Sequence, residues 1–371
     1  MGKRKQKIRV ALRKNRKKKP RRQKDYTRED VENANFDQGE RVSGKGDLTR
    51  HRTVIGVEGD DAEGLTIDVD VDQCQEGRVL SVHRSGFIVR ADDGAQYECV
   101  VRNIVRTIAT DQRSAVVAGD RVLFQPTVND QGVIERVEPR SGTLSRETRG
   151  QEHVLVANVD QVLIVASAVD PPLKPNLLDR YLVSAAVGDI TPLICINKVD
   201  LADLVELQPI VGLYAQLGYD VVTTSTVSGH GIARLRDLLR DRETVLTGQS
   251  GVGKSSLLNA VQPGLQLRTG DVSDDSRKGK HTTTAAQLLE LSFGGWVVDT
   301  PGIRQFGLWD TIPEEVEGYF VEFHPFVRNC RFPDCSHTHE DNCGIKDAVA
   351  RGLIAECRFE SYQRIAAGDF A

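Results

Sequence analysis

Short β-branched and apolar runs, separated by glycine and acidic turns, occupy residues 77–82, 86–90, 97–101, 120–124 and 132–137. Strands at this spacing predict a small five-stranded barrel. The oligonucleotide-binding (OB) barrel fits the length and strand count, and other small barrels fit nearly as well. From about residue 154 the rhythm changes: apolar strands at 159–165, 192–196, 221–224, 244–247 and 296–299 alternate with amphipathic helices such as 177–187 and 232–240. Such alternation predicts a parallel sheet covered by helices. After about residue 312 the chain becomes rich in Cys, His, Phe and charge, and it ends in a helix expected over 356–367. The expected organisation is multi-domain. A disordered basic tail and acidic linker fill 1–73, a barrel 74–145, an α/β domain 150–312 and a small α-helical unit 313–371.

Charge sharpens the picture at the N-terminus. Residues 1–24 carry fourteen Lys and Arg and no acid, so removing them from the net charge of −4 leaves about −18 for the rest. The run from Arg13 to Arg22 has too few apolar residues to bury, which predicts disorder when free and a polyanion as partner. A solubilising tail or a targeting signal would give the same composition. The following linker gathers Glu58, Asp60, Asp61, Glu63, Asp68, Asp70 and Asp72 ahead of Cys74. No segment approaches the ~20 apolar residues needed to cross a bilayer, and the N-terminus lacks a secretory apolar core. A cytoplasmic, monomeric protein without membrane contact is therefore expected, with its seven cysteines reduced or bound to metal.

The strongest chemical signal is the run Gly248, Gln249, Ser250, Gly251, Val252, Gly253, Lys254, Ser255 and Ser256. It has the phosphate-loop spacing, follows a predicted strand and opens a predicted helix. Its glycines let backbone N–H groups converge on phosphates at a helix N-terminus. Lys254 would bridge the β- and γ-phosphates and Ser255 would hold Mg²⁺. A base reader follows another strand, at Asn197, Lys198, Val199 and Asp200. The Asp200 carboxylate can accept both the ring N–H and the exocyclic amine of guanine. Adenine would leave that charge unpaired, which costs about 1–3 kcal/mol or more. Asn197 would brace the loop, and the Lys198 stem would cover the purine.

Asp299 ends the strand at 296–299 and would reach Mg²⁺ through water, while the Gly302 N–H would sense the γ-phosphate. Between these elements, 279–284 reads as a switch segment in which Thr282 or Thr283, with Thr283 favoured, completes the metal shell. Ser225 and Thr226 offer a weak signal for a backbone contact to the base. The order is inverted relative to most GTPases, since the base reader precedes the phosphate loop. Circular permutation explains this, and it sends the γ-phosphate-responsive segment after Asp299 directly into the C-terminal unit. That unit holds Cys330, Cys335, His337 and Cys343 within fourteen residues, a ligand set for one structural Zn²⁺, with His339 as a competing ligand. Cys74, Cys99, Cys195 and Cys357 are isolated and read as packing residues. Arg102 and Arg106 could contact RNA or form a solvated barrel rim.

Taken together, residues 76–367 resemble the ribosome small-subunit-dependent GTPase A family (RsgA/YjeQ). The resemblance rests on the barrel, 157–161, 178–182, 197–200, 248–256, 279–284, 299–304 and the Cys/His cluster. It implies an OB barrel, a circularly permuted P-loop GTPase domain and a zinc unit that dock on the small ribosomal subunit and its rRNA during late maturation. It also implies GTP hydrolysis to GDP stimulated by the ribosome, and it places a catalytic histidine at His281. Apolar Ile303 stands where Ras-type enzymes carry the water-positioning Gln, so another group must orient water. The long basic tail lies outside the resemblance. Rival expectations are a non-enzymatic GTP-dependent RNA-binding assembly factor, a permuted GTPase of the large subunit, and a general ATPase.

Overall fold

The computed structural model describes residues 5–11, 51–58, 65–67, 71–83, 86–102, 105, 115–147, 152–265, 267, 286–299 and 313–369. The first three strands, β1 (Lys5–Ala11), β2 (His51–Glu58) and β3 (Leu65–Ile67), form an antiparallel sheet in which Lys5 faces Val57 and Ala11 faces His51. These segments depart from the disordered tail and linker expected over 1–73. Their β-branched content, including Ile8, Val10, Thr53, Val54 and Ile55, favours extended pairing, and a charge count conceals it. The run 13–22 lies outside the described residues.

Alternating inward positions build the barrel from β4 (Gln75–Val82), β5 (Phe87–Ala91), β6 (Gln96–Val101), β7 (Arg121–Pro126) and β8 (Gln131–Val137). The strands run in the order β4-β5-β6-β8-β7, and β7 pairs back to β4 to close the ring. Only the β6–β8 pair is parallel. Val79, Val89, Cys99, Phe124 and Ile134 fill the interior, so the barrel is of the five-stranded OB type. Arg102 is exposed and ion-paired to Glu135, and Arg106 lies outside the described residues.

A hairpin of β9 (Leu144–Glu147) and β10 (Glu152–Val156) leads into the α/β domain. That domain contains β11 (Gln161–Ser167), α1 (Pro175–Val187), β12 (Thr191–Asn197), α2 (Leu204–Gln216), β13 (Asp220–Thr223), α3 (Ile232–Leu239), β14 (Glu243–Thr247), α4 (Lys254–Val261), β15 (Gln287–Glu290) and β16 (Trp296–Asp299). The sheet order is β13-β12-β11-β14-β16-β15, parallel except for β15. Strand β11 shows why both faces are covered. Val162 and Ile164 join a core with Tyr181, Leu207 and Tyr214, whereas Leu163 and Val165 join one with Leu235, Leu239 and Leu257. Edge strand β15 also pairs with β4 through Gln287 and Ser81, so barrel and domain share one eleven-stranded sheet.

The C-terminal unit is a series of 3₁₀ turns followed by α5 (Gly344–Ala350) and α6 (Glu356–Ala366). Phe320, Phe323, Ile345, Ile354, Tyr362 and Ile365 form its core, which takes in Val183 from α1. No helix among the described residues is long and apolar enough to cross a membrane.

Candidate nucleotide and metal sites

Strand β14 is buried and stops at Gly248, and α4 begins at Lys254, so the phosphate loop spans the gap between a central strand and a helix N-terminus. Two of its glycines are required by geometry. Gly248 has φ +139°, and a Cβ there would lie 2.1 Å from the Val165 carbonyl; Gly253 has φ +94°, and a Cβ would lie 2.6 Å from Asn197 Nδ2. Gln249, Ser250 and Gly251 reach the surface, Val252 is buried, and Ser255 and Ser256 are half-buried in the first turn of α4. Lys254 Nζ donates to the carbonyls of Gly248 at 2.7 Å and Gln249 at 2.8 Å, which lays the ammonium over the loop.

Segment 197–200, expected to read the base, is tied to this loop although 55 residues separate Asn197 from Val252. Asn197 Nδ2 donates to the Val252 carbonyl at 2.9 Å, and its Oδ1 accepts from Thr224 Oγ1 at 3.1 Å. With one side chain bonded in both directions, the two segments are held against each other. Lys198 adopts a left-handed backbone (φ 61°) and donates to the Asp170 carbonyl at 2.5 Å. Val199 N donates to the Thr224 carbonyl at 3.2 Å, which holds the turn that presents Asp200 to solvent. Ser225 is buried, and its Oγ accepts from Val227 N at 3.2 Å and Ser228 N at 3.1 Å, folding the neighbouring loop back on itself. Thr224 is a member of the site that sequence reasoning missed. Its only signal was a position just past the third parallel strand.

Asp299 ends β16 alongside β14, where Val245 faces Val298, so its backbone lies beside the strand that feeds the phosphate loop. Gly302, Ile303, His281, Thr282 and Thr283 lie outside the described residues.

In the C-terminal unit Cys330, Cys335, His337 and Cys343 bring one ligand atom each to within 4.8 Å of one another. His337 Nδ1 lies 3.2 Å from Cys343 Sγ and 3.5 Å from Cys330 Sγ, and the two sulfurs are 3.9 Å apart. Thiolates around a tetrahedral Zn²⁺ with Zn–S of about 2.3 Å would sit about 3.8 Å apart, so the cage has the dimensions of such an ion. The donor chemistry agrees. Burial, aided by the neighbouring Cys343 and Cys330, pushes the Cys335 thiol up to about 12, and a cation at the centre of the cage would favour its thiolate. His337 Nε2 meets Glu317 Oε2 at 2.8 Å, a carboxylate brace that fixes the ring orientation and leaves Nδ1 for metal. His339 is exposed and turned to Thr338 Oγ1 at 3.0 Å. Glu317 was invisible in the sequence because no spacing rule ties a second-layer carboxylate to its histidine. Cys99 and Cys195 are fully buried in apolar cores, where burial pushes each thiol up to about 12.

Against known proteins, the RsgA GTPase family model matches residues 137–309. A small ribosomal subunit biogenesis GTPase RsgA from Yersinia enterocolitica is 39% identical over 310 residues, which cover 80% of this chain and 86% of the relative. The protein of that name from Klebsiella pneumoniae is 40% identical over 306 residues, covering 79% and 84%. Among solved structures, YjeQ from Thermotoga maritima aligns with a TM-score of 0.66 at 37% identity, over 80% of this chain and 99% of that one. YloQ, described as a circularly permuted GTPase, aligns with a TM-score of 0.63 at 29% identity, over 81% and 97%. The inverted motif order, the bond that joins the two motifs and these matches agree: the chain belongs to the RsgA GTPase family.

Proposed function

We propose that this chain hydrolyses GTP to GDP and phosphate, binds the small ribosomal subunit, and assists that particle's late maturation with turnover stimulated by the ribosome. The observation that supports it most is the 2.9 Å bond from Asn197 to Val252, which joins the guanine reader to the phosphate loop. In this reading Asp200 accepts the two guanine N–H groups, and the Lys198 stem and Val199 backbone line the base. Backbone amides of 249–256 cradle the phosphates, and Lys254 moves from loop carbonyls to the β- and γ-phosphates. Mg²⁺ neutralises charge on the phosphate oxygens when bound. Ser255 and Thr283 would supply the hydroxyls that hold it, with Asp299 acting through water. The Gly302 N–H contacts the γ-phosphate. His281 orients the attacking water where Ile303 cannot.

The Cys330, Cys335, His337 and Cys343 cage holds a structural Zn²⁺. The role of the RsgA relatives in small-subunit biogenesis and the basic tail favour rRNA as the partner surface, and a cytoplasmic monomer fits that role. The test is multiple-turnover phosphate release by the full chain. Turnover alone should be slow, about 10⁻⁴–10⁻² s⁻¹, and purified small subunits should raise it at least ~10-fold while excess ATP fails to compete. Equal stimulation by large subunits, no stimulation, or strong ATP competition would each refute the reading. His281→Ala should slow stimulated turnover about 100-fold or more with GDP affinity unchanged; a parallel loss of both would place His281 in loop structure instead.

A further inference from the structure

The link 240–242 and the β15–β16 turn meet the end of α3 on a surface at the opposite end of β14 from the phosphate loop. Five strand residues at ~3.3 Å each place it about 17 Å from that loop. Arg236 and Arg240 lie one helical turn apart, and their guanidinium carbons stand 4.5 and 5.9 Å from the Phe293 ring centroid. Arg240 also donates to the Phe293 carbonyl at 3.5 Å and lies 3.4 Å from Asp237. The Arg242 carbonyl accepts from Trp296 N at 2.8 Å, which brings the Arg242 backbone to the same turn, and the Asp241 carboxylate lies against Gly294 between the two arginines. All three arginines are exposed and Phe293 is half-buried. The series continues onto the barrel, where the Arg90 guanidinium sits 5.1 Å from the Trp296 ring and 2.5 Å from Glu290.

Cations and aromatic rings that interleave in this way suit one chemistry. A guanidinium offers a planar fork to phosphate oxygens, and an aromatic or guanidinium face is a platform for an unpaired base. Beyond the tail the chain carries about −18, so a polyanion gains nothing from its average field. It must be met at defined cationic spots. We propose that Arg236, Arg240 and Arg242, seated around Phe293, form an RNA-docking surface whose guanidiniums hold backbone phosphates and, backed by the Phe293 ring, offer a stacking face to an unpaired base. This rests on the small-subunit reading above and assigns a contact face on the GTPase domain separate from the nucleotide pocket.

The test measures binding of the full chain, loaded with an unhydrolysable GTP analogue, to purified small subunits across a salt series. The triple variant Arg236→Gln/Arg240→Gln/Arg242→Gln should bind at least ~10-fold more weakly, with a log–log salt slope shallower by about 2. The corresponding triple Lys variant should recover the slope but only part of the affinity, because charge returns without the planar fork. Phe293→Leu, which keeps the apolar packing, should weaken binding ~5-fold or more with the slope unchanged. GDP affinity and subunit-free hydrolysis should be unaffected throughout. If wild type binds and the Gln triple matches it in affinity and slope, the surface is merely solvated and the broader reading stands. Weaker binding with an unchanged slope in the Gln triple would indicate a protein contact and overturn the proposal. Failure of wild type to bind at all would overturn both.

Discussion

Removing the proposed zinc from this chain, by chelation or by Cys343→Ser, should unfold the C-terminal unit while GDP binding by the α/β domain changes less than about twofold. Between residues 313 and 343 the unit has only 3₁₀ turns, whose geometry gives weak hydrogen bonds and no long helix to carry them. Its core is the aromatic group around Phe320, Phe323 and Tyr362, and Cys335 and Cys343 belong to that same core. The four ligands therefore close the part of the unit that helices do not. Structural Zn²⁺ sites of this kind carry apparent binding energies of about 10–16 kcal/mol near neutral pH, which is comparable to the whole stability of a small domain.

Losing most of that should expose the amides of α5 and α6, read as a collapse of hydrogen-exchange protection that tracks release of one zinc equivalent. Acid should act in the same direction, because the cage needs thiolates and protons compete for the sulfurs as pH falls. His339→Ala should leave zinc content intact, and His337→Ala should not. Full zinc removal with α6 protection unchanged would refute a structural role for the ion.

The parts of this fold legible in the chain were those whose cause is local. Strand β16 was read to the residue, and the phosphate loop and its helix were read nearly so, because glycine spacing and a buried apolar run are contiguous signals. Helix α2 escaped notice. It carries Pro209 in its interior and exposes Leu204 and Val205, so its pattern lacks a clean apolar stripe; burial of Leu207 and Tyr214 against the sheet supplies what the pattern does not. Strand β15 has four residues, and its pairing with Ser81 depends on a barrel some 200 positions upstream. Of the site, the phosphate loop, base reader and metal cage were each visible as short motifs. The Thr224 brace and the Glu317 brace were not, since each is defined by a partner distant in sequence.

The same distance conceals the contact that seats the C-terminal unit on α1. Arg358 of α6 is 1% exposed, and its Nη1 lies 2.7 Å from Oδ1 of Asp179 in α1, a residue that is itself fully buried. Its Nε and Nη2 donate to Glu322 at 2.6 and 3.1 Å, Tyr214 donates to Asp179 at 2.6 Å, and the Phe320 ring lies 4.4 Å beneath the guanidinium. Burial opposes the charge on Arg358, but Asp179 and Glu322 outweigh it and hold the guanidinium above the usual arginine range. Removing one partner leaves a buried charge without compensation, which costs about 3–5 kcal/mol.

Arg358→Met should therefore destabilise the α1–α6 contact by that amount, seen as early unfolding of α6 in urea with zinc still bound. Exchanging the acids as well, in Arg358→Met/Asp179→Leu/Glu322→Met, should recover most of the loss, because an apolar set of similar volume has no charge to desolvate. A triple variant no more stable than Arg358→Met would show that shape rather than uncompensated charge sets the cost. Helix α1 begins a few residues after Asp170, the residue whose carbonyl holds Lys198 of the base reader. If the ion pairs serve only stability, the recovered triple variant will also recover subunit-stimulated turnover. A variant that regains stability but not stimulation would locate in Arg358 and Asp179 the mechanical link between the zinc unit and the nucleotide pocket.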